Sequence, residues 1–230
     1  MKLSLTVFCV FLTTGCFAQL NADGFSNNMF IVSLGVDKPF INNKAFNNWS
    51  QLNYNNHQNC TVGGTFNLDA ITRHYNFGMS AAIGNPYALA GIYAGRRLTA
   101  PQSAISSFLN LQLGLFAFHG ANGDGPLNYT PTADEAGKKL YLEYSALYIG
   151  LSSRNYVNKF HFSTGKGKNK ISFNSGFFCS INVEPWESDW RYGYNKASGR
   201  YSHFISNRVY GIPKPNQLFF ETGIFMGLGN

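Results

Sequence analysis

Charge is what this sequence has least of. Only 13% of its 230 residues are Asp, Glu, Lys or Arg, roughly half the share of an average soluble domain. A disordered chain would be rich in charge and poor in aromatics, whereas 21 Phe and 13 Tyr are present here. Long apolar runs are lacking as well. Beyond the first twenty residues no stretch reaches the roughly 18 uninterrupted apolar residues of a spanning helix, and the mean hydropathy is −0.15. A bundle of membrane helices is therefore excluded. Cysteine is scarce, at four residues, where a disulfide-stapled secreted fold of small size would show many more.

The N-terminus carries an export pattern. Met1-Lys2 is a positive n-region, Leu3 to Leu12 is a short apolar h-region, and Cys16-Phe17-Ala18 leads to Gln19. This predicts a secretory signal peptide over 1–18, cleaved between Ala18 and Gln19. A competing route is lipidation at Cys16, because Thr13-Thr14-Gly15-Cys16 loosely resembles a lipobox, with Thr13 where Leu is usual. Cleavage lowers the formal charge from +7 to about +6 and leaves Cys60 and Cys179. Cys179 sits in a strand pattern and reads as a small hydrophobe rather than half of a bridge. The remaining Lys and Arg are scattered, with no basic cluster and no nucleic-acid motif, so nucleic acid is not an expected partner. Residues 19–28 read as a lead-in and 29–230 as one β domain.

That domain alternates with period two, the signature of strands whose successive side chains face opposite ways. Tyr75, Phe77, Met79, Ala81 and Ile83 alternate with Asn76, Gly78, Ser80 and Ala82. The same holds for Val62 to Asp69, Leu109 to Leu115, Ile171 to Asn182 and Leu218 to Leu228. Phe30 to Val36 and Leu140 to Leu151 are less regular, and in Ala88 to Leu98 the faces compete between Ile92 and Tyr93. In 140–151 the apolar Leu140, Leu142, Tyr144, Ala146 and Tyr148 oppose Glu143 and Ser145, which assigns Glu143 to the polar face. The apolar faces run about 9–11 residues, the length of a tilted membrane strand, while the other faces are small and polar. Aromatics gather near strand ends (Phe30, Tyr75, Tyr87, Phe118, Tyr141, Phe219), as interfacial girdles require. The pattern predicts an all-β, eight-stranded antiparallel up-and-down transmembrane barrel with its apolar face outward. A soluble secreted barrel that binds a small ligand is the alternative, and it would turn Phe66, Phe77, Leu111 and Phe173 inward.

Connection lengths agree with an up-and-down barrel whose external loops are longer than its periplasmic turns. Long connections are expected at 37–57, 119–138 and 184–216, and short ones near 70–73, 84–87 and 99–103. The 153–169 connection reads as too long for a tight turn. Pairing Phe160 to Phe162 with His203 to Ile212 would give an alternative of ten strands.

The Ala18-Gln19 junction, Gly63-Gly64-Thr65-Phe66-Asn67-Leu68, Leu140-Tyr141-Leu142-Glu143 and Phe219-Phe220-Glu221-Thr222-Gly223 carry a resemblance. Over its mature length the chain resembles the small outer-membrane β-barrel superfamily of Gram-negative bacteria, of the porin-like and PorT-like "outer membrane protein beta-barrel" type. The resemblance implies a cell outer membrane location with lipid and lipopolysaccharide as surroundings. It implies no particular activity. Such barrels usually end in an aromatic residue, whereas this chain ends Gly227-Leu228-Gly229-Asn230, with Phe225 the nearest aromatic.

Chemistry-bearing residues are few. Glu143 and Glu221 are each expected about four residues into a descending strand on the polar face, at similar lumen depth. Two such carboxylates are the parts of an acid–base pair, but a lumen polar network with Asp69, Arg96 and Arg97 is the reading adopted, because buried charges pair when they cannot face lipid. Asp69 is expected to meet Arg96 or Arg97 near the periplasmic end. The five histidines lie far apart, and Gly120 to Gly125 has too few carboxylates for a calcium loop. No nucleophile elbow or phosphate-binding loop occurs. Neither catalysis nor a metal or cofactor is expected. The richest polar region is 184–216, where Trp186, Trp190, Tyr192, Tyr194 and Tyr201 interleave with Arg191, Arg200 and Arg208. Rings beside cations suit sugars and anionic headgroups, so this loop is the candidate surface for a glycan or protein partner.

Overall fold

A computed structural model describes residues 29–54, 59–101, 103–123, 140–163, 170–186, 188–194, 208–209 and 211–229. The signal peptide with its Ala18–Gln19 junction, the lead-in, Arg200 and Tyr201 lie outside them. The elements are β1 (Met29–Ile41), α1 (Lys44–Tyr54), β2 (Gly63–Ile71), β3 (Tyr75–Ile83), β4 (Tyr87–Arg97), β5 (Ile105–Gly123), β6 (Leu140–Ser163), β7 (Lys170–Val183), β8 (Trp190–Tyr194), β9 (Arg208–Val209) and β10 (Leu218–Gly229). Among the described residues no helix is long and apolar enough to cross a membrane.

The strands form one sheet in the order β5-β4-β3-β2-β1-β10-β7-β6-β8-β9, and β5 also pairs with β6. That last pairing closes an eight-stranded antiparallel barrel, and closure removes the open edges that a flat sheet leaves. The first strand meets the last, with Ile31 opposite Gly229 and Ile41 opposite Phe219. β8 and β9 are not part of the wall. β7 pairs with β6 only from Ile149 onward, so the first turn of β6 has a free edge, and β8 takes it at Leu140 to Tyr144. β1 starts and β10 ends at one end of the barrel. The connection holding α1, the turn after β3, and the connections after β5 and β7 open at the other, called the mouth below.

The exposed face of the wall is apolar. Leu34 is 68% exposed, Phe77 51% and Leu111 61%, and Phe66, Ile92, Leu113, Leu151, Ile224 and Met226 join them. Inward positions on the same strands are buried Ser33, Thr65, Asn67, Asp69, Asn76, Asn110, Asn174 and Asn182. The contest between Ile92 and Tyr93 resolves with Ile92 out and Tyr93 in. Eight strands leave an interior only wide enough for side chains. Its large rings are seated over glycines of the next strand. Tyr93 lies across from Gly78, where any Cβ would come within 2.5 Å of the ring. Tyr148 likewise covers Gly114.

Two expectations need correction, and the eight-stranded alternative is the one observed. The connection after β6 is short, because β6 continues to Ser163 and β7 starts at Lys170. Ser152 to Tyr156 is a run of buried residues without a polar-apolar alternation, which hides a strand from a period-two reading. Ten wall strands do not form, since β9 has two residues and among the described residues pairs only with β8. The second correction concerns the faces of β6 near the mouth. Leu142, Tyr144, Ala146 and Tyr148 are buried in the barrel, and Glu143 therefore sits on the outer face. The rule of polar inside and apolar outside inverts there because the mouth end of the lumen is packed with rings.

Candidate functional site

The lumen is filled in layers. At the mouth, Tyr87, Phe116, Phe118, Tyr144, Tyr148, Trp190 and Phe219 form one buried cluster with Phe46 of α1. The helix belongs to the first mouth connection. Its Lys44 N–H is capped by Asn42 Oδ1 at 3.3 Å, and its Phe46-x-x-Trp49 spacing puts both rings on one side. The two rings are 5.8 Å apart, and Phe46 also meets Phe118 edge-on at 5.7 Å. No period-two alternation marks this helix. Its sequence holds three Asn and a Ser, residues that favour caps and turns, and the Phe46/Trp49 pair is its legible sign.

The next layer is polar and centres on Arg154. Its guanidinium lies 3.9 Å over the Tyr93 ring and 4.9 Å over Phe178, and Nη2 donates to Asn67 Oδ1 at 3.2 Å. Asp69 is the neighbouring carboxylate. It accepts a hydrogen bond from Tyr156 Oη at 2.6 Å and another from Tyr93 Oη, while Tyr156 Oη accepts from Asn76 Nδ2 at 3.0 Å. Arg154 interacts electrostatically with both Asp69 and Glu221. Fully buried charge is tolerated when it is paired and hydrogen-bonded, and stacking between two rings adds to that here. Below this layer Ile31, Ile71, Phe108, Tyr156, Phe178 and Phe225 close the far end.

The expected lumen residues are thus only partly assembled. Asp69, Arg97 and Glu221 occupy inward positions. Glu221 accepts from Ser180 Oγ at 3.2 Å. Arg97 stacks on Phe108 at 5.0 Å and donates to Ser106 Oγ at 3.3 Å and to the Thr72 carbonyl at 3.3 Å. Arg96 and Glu143 face outward. Arg96 is exposed because strand alternation allows only one of two consecutive arginines to enter. Glu143 lies opposite His119 and Arg191, on the other side of the wall from Glu221, so the two carboxylates cannot act as a pair. Arg154, the cation beside Asp69, falls in the segment read from sequence as a loop, which is why it was missed.

The candidate recognition loop is split in the same way. Trp186 is 60% exposed and Arg191 is exposed. Trp190 instead turns inward, and its Nε1 donates to the Pro213 carbonyl at 3.0 Å. It is a plug residue rather than a surface one. Tyr192 and Tyr194 are placed by the backbone of β8, and Arg208 by that of β9. At the rim, Glu184 accepts from Tyr144 Oη at 2.6 Å, and burial raises its carboxyl pKa to about 7. Lys214 pairs with Asp189 at 3.2 Å. Cys60 and Cys179 are free thiols. Burial pushes the Cys60 thiol up to about 11, which makes it a poor nucleophile.

Fold and interior together define a small closed β-barrel with an apolar exterior and a filled lumen. No family model, curated protein or solved structure matches the chain.

Proposed function

We propose that the protein is an outer-membrane β-barrel, exported through a cleaved signal peptide, with a structural, interaction or surface-recognition role at its mouth. It belongs in this reading to the small outer-membrane barrel superfamily that the sequence resembles. Its surroundings are outer-membrane lipid and lipopolysaccharide. The observation that carries this is the inside-out distribution of side chains. A belt of Leu, Ile, Val, Phe and Met covers the outside while Asn, Ser, Asp and Arg line the inside, the arrangement that a hydrocarbon solvent favours and water disfavours. A soluble ligand-binding barrel needs Phe66, Phe77 and Leu111 inside, and these three are 40–61% exposed. A barrel-embedded hydrolase loses its carboxylate pair, because Glu143 and Glu221 stand on opposite faces. The filled lumen supports a protein without a general porin channel and without a catalytic role. Fractionation of expressing cells tests the reading: recovery with the outer membrane is expected, and recovery as a soluble periplasmic species would overturn it.

A further inference from the structure

At the end of the barrel opposite the mouth, a tight turn joins β2 to β3. The Thr72 N–H donates to the Tyr75 carbonyl at 2.8 Å, and the Tyr75 N–H donates to Thr72 Oγ1 at 2.9 Å. Between them Arg73 and His74 are exposed. β4 ends beside this turn. Tyr75 is opposite Arg96, and the Arg97 N–H donates to the His74 carbonyl at 2.8 Å. Alternation sends Arg97 into the lumen and leaves Arg96 exposed on the outer face, next to the exposed Tyr75 ring. Arg73 lies two residues from Tyr75 on the other side.

Neither arginine has an ion-pair partner. Asp69, the described carboxylate of this half of the barrel, is fully buried and held by Tyr93 and Tyr156. The other described carboxylates (Asp37, Glu143, Glu184, Asp189 and Glu221) belong to the mouth half. Arg191 at the mouth has Glu143 opposite it, whereas two permanent charges stand uncompensated at this rim.

Their height identifies what meets them. On β5 the residue opposite Arg96 is Leu109, where the run of exposed leucines begins, and on β3 the next outward residue after Tyr75 is exposed Phe77. Arg96 therefore roots at the edge of the apolar belt. Two residues past Tyr75, at about 3.3 Å per residue and a strand tilt near 40°, put Arg73 roughly 5 Å beyond that edge. The headgroup layer of a bilayer is roughly 5–7 Å deep on each side, and a tyrosine at its inner boundary is the usual interfacial anchor. Arginine can lay its stem on apolar surface and hold its guanidinium at the interface. Two such forked donors suit the oxygens of a phosphate better than a point charge does.

We propose that Arg73 and Arg96 bind the phosphate of an anionic phospholipid headgroup at the rim opposite the mouth. The proposal rests on the reading of the barrel as membrane-spanning and adds a specific headgroup site to it. Lys38 provides the control. It is an exposed, outward cation at the mouth end, 5.5 Å over the Phe40 ring, and it lies on β1, three strands round the wall from Arg96.

The experiment reconstitutes the full barrel in phosphatidylcholine vesicles with and without phosphatidylglycerol and records thermal unfolding. The wild type is expected to unfold several degrees higher in the phosphatidylglycerol vesicles, and high salt should shrink the difference. Arg73→Gln with Arg96→Gln should lose most of it, and Lys38→Gln should keep it. Equal unfolding of the wild type in both lipids, or an equal loss in Lys38→Gln, would overturn the site. The same stabilisation from inorganic phosphate added to the detergent-solubilised protein would overturn the assignment to a headgroup. If the glutamine pair fails to fold, Arg73→Gln alone decides: a reduced difference is expected, and an unchanged one would overturn the site. Failure of the wild type to enter vesicles of either composition would reject the membrane reading itself, a result distinct from entry without lipid preference.

Discussion

Phe46 and Trp190 stack with ring centroids 4.6 Å apart and planes 20° from parallel. They come from opposite ends of the chain's mouth connections, one from α1 and the other from β8, and both are fully buried. The contact ties the helix to the sheet extension across the opening. Phe46→Ala removes the ring on which α1 is seated, and truncating a buried Phe typically costs about 3–5 kcal/mol. Because α1 lies outside the wall, the loss should fall mainly on the helix. The expected outcome is rapid proteolysis within 44–54 and a modest fall in the unfolding temperature of the barrel. Cleavage no faster than in the wild type would show that the helix is held by other contacts.

Arg154 is the second place where one side chain holds several elements. It joins β6 to Tyr93 of β4, Phe178 of β7 and Asn67 of β2. Arg154→Met leaves Asp69 as a buried carboxylate without its cation, a change that typically destabilises by about 3–5 kcal/mol. Adding Asp69→Asn should recover part of that loss, which a double-mutant cycle measures. Lys38→Gln, at an exposed outward position, should shift stability by no more than about 0.5 kcal/mol. Additive effects of the Arg154 and Asp69 changes would refute the coupling.

These residues also show what a sequence makes visible. The wall was legible because its outer face is repetitive: Leu109, Leu111, Leu113 and Leu115 state a strand and its apolar face without help from the rest of the chain. Asp69 and Glu221 could be placed on the polar face for the same reason, whereas the competing faces of 88–98 left Arg96 and Arg97 undistinguished. Arg154 could not be placed, because its neighbours Ser153 and Asn155 are polar and buried too, and a strand polar at successive positions has no period. Glu143 was assigned inward on the general rule of a polar lumen. That rule fails where α1 enters the mouth, and the entry depends on contacts such as Phe46 with Trp190, about 140 residues apart, that no local pattern encodes.

Glu184 gives the mouth a pH dependence. Its carboxyl pKa is raised by burial from 4.5 to about 7, so between those values the folded protein holds a proton that the unfolded chain has released. Stability therefore falls as pH rises from about 4.5 to 7 and levels off above that. Glu184→Gln should flatten the slope while keeping an acceptor for the Tyr144 hydroxyl. Unfolding temperatures measured across that range check it; an unchanged slope in the variant would assign the dependence to another group.

The two lumen layers predict how the barrel conducts. Opening the mouth alone should not produce a wide pore, because the Arg154 layer and the cluster around Phe108 and Phe225 remain below it. Planar-bilayer recordings of the wild type and of a variant lacking 44–54 should both show no large, stable conductance. A sustained porin-sized current from the wild type would contradict a filled lumen.

The last prediction concerns orientation. Eight wall strands put the start of β1 and the end of β10 on one side and the 184–217 connection on the other. In bacterial barrels the short turns and termini are periplasmic and the longer loops external. Here the helix-bearing first connection and the β8–β9 extension share the mouth, while the turn at 72–74 is short. The mouth should therefore face the outside of the cell. An epitope inserted near Lys196-Ala197-Ser198-Gly199 should be stained on intact cells, with barrel assembly confirmed separately. If staining appeared only after the outer membrane was permeabilised, protease added from outside would separate two cases. Cleavage at the insert would mean a loop folded too closely for antibody. Protection from cleavage would mean that the mouth faces the periplasm, and the headgroup site would then belong to the outer leaflet.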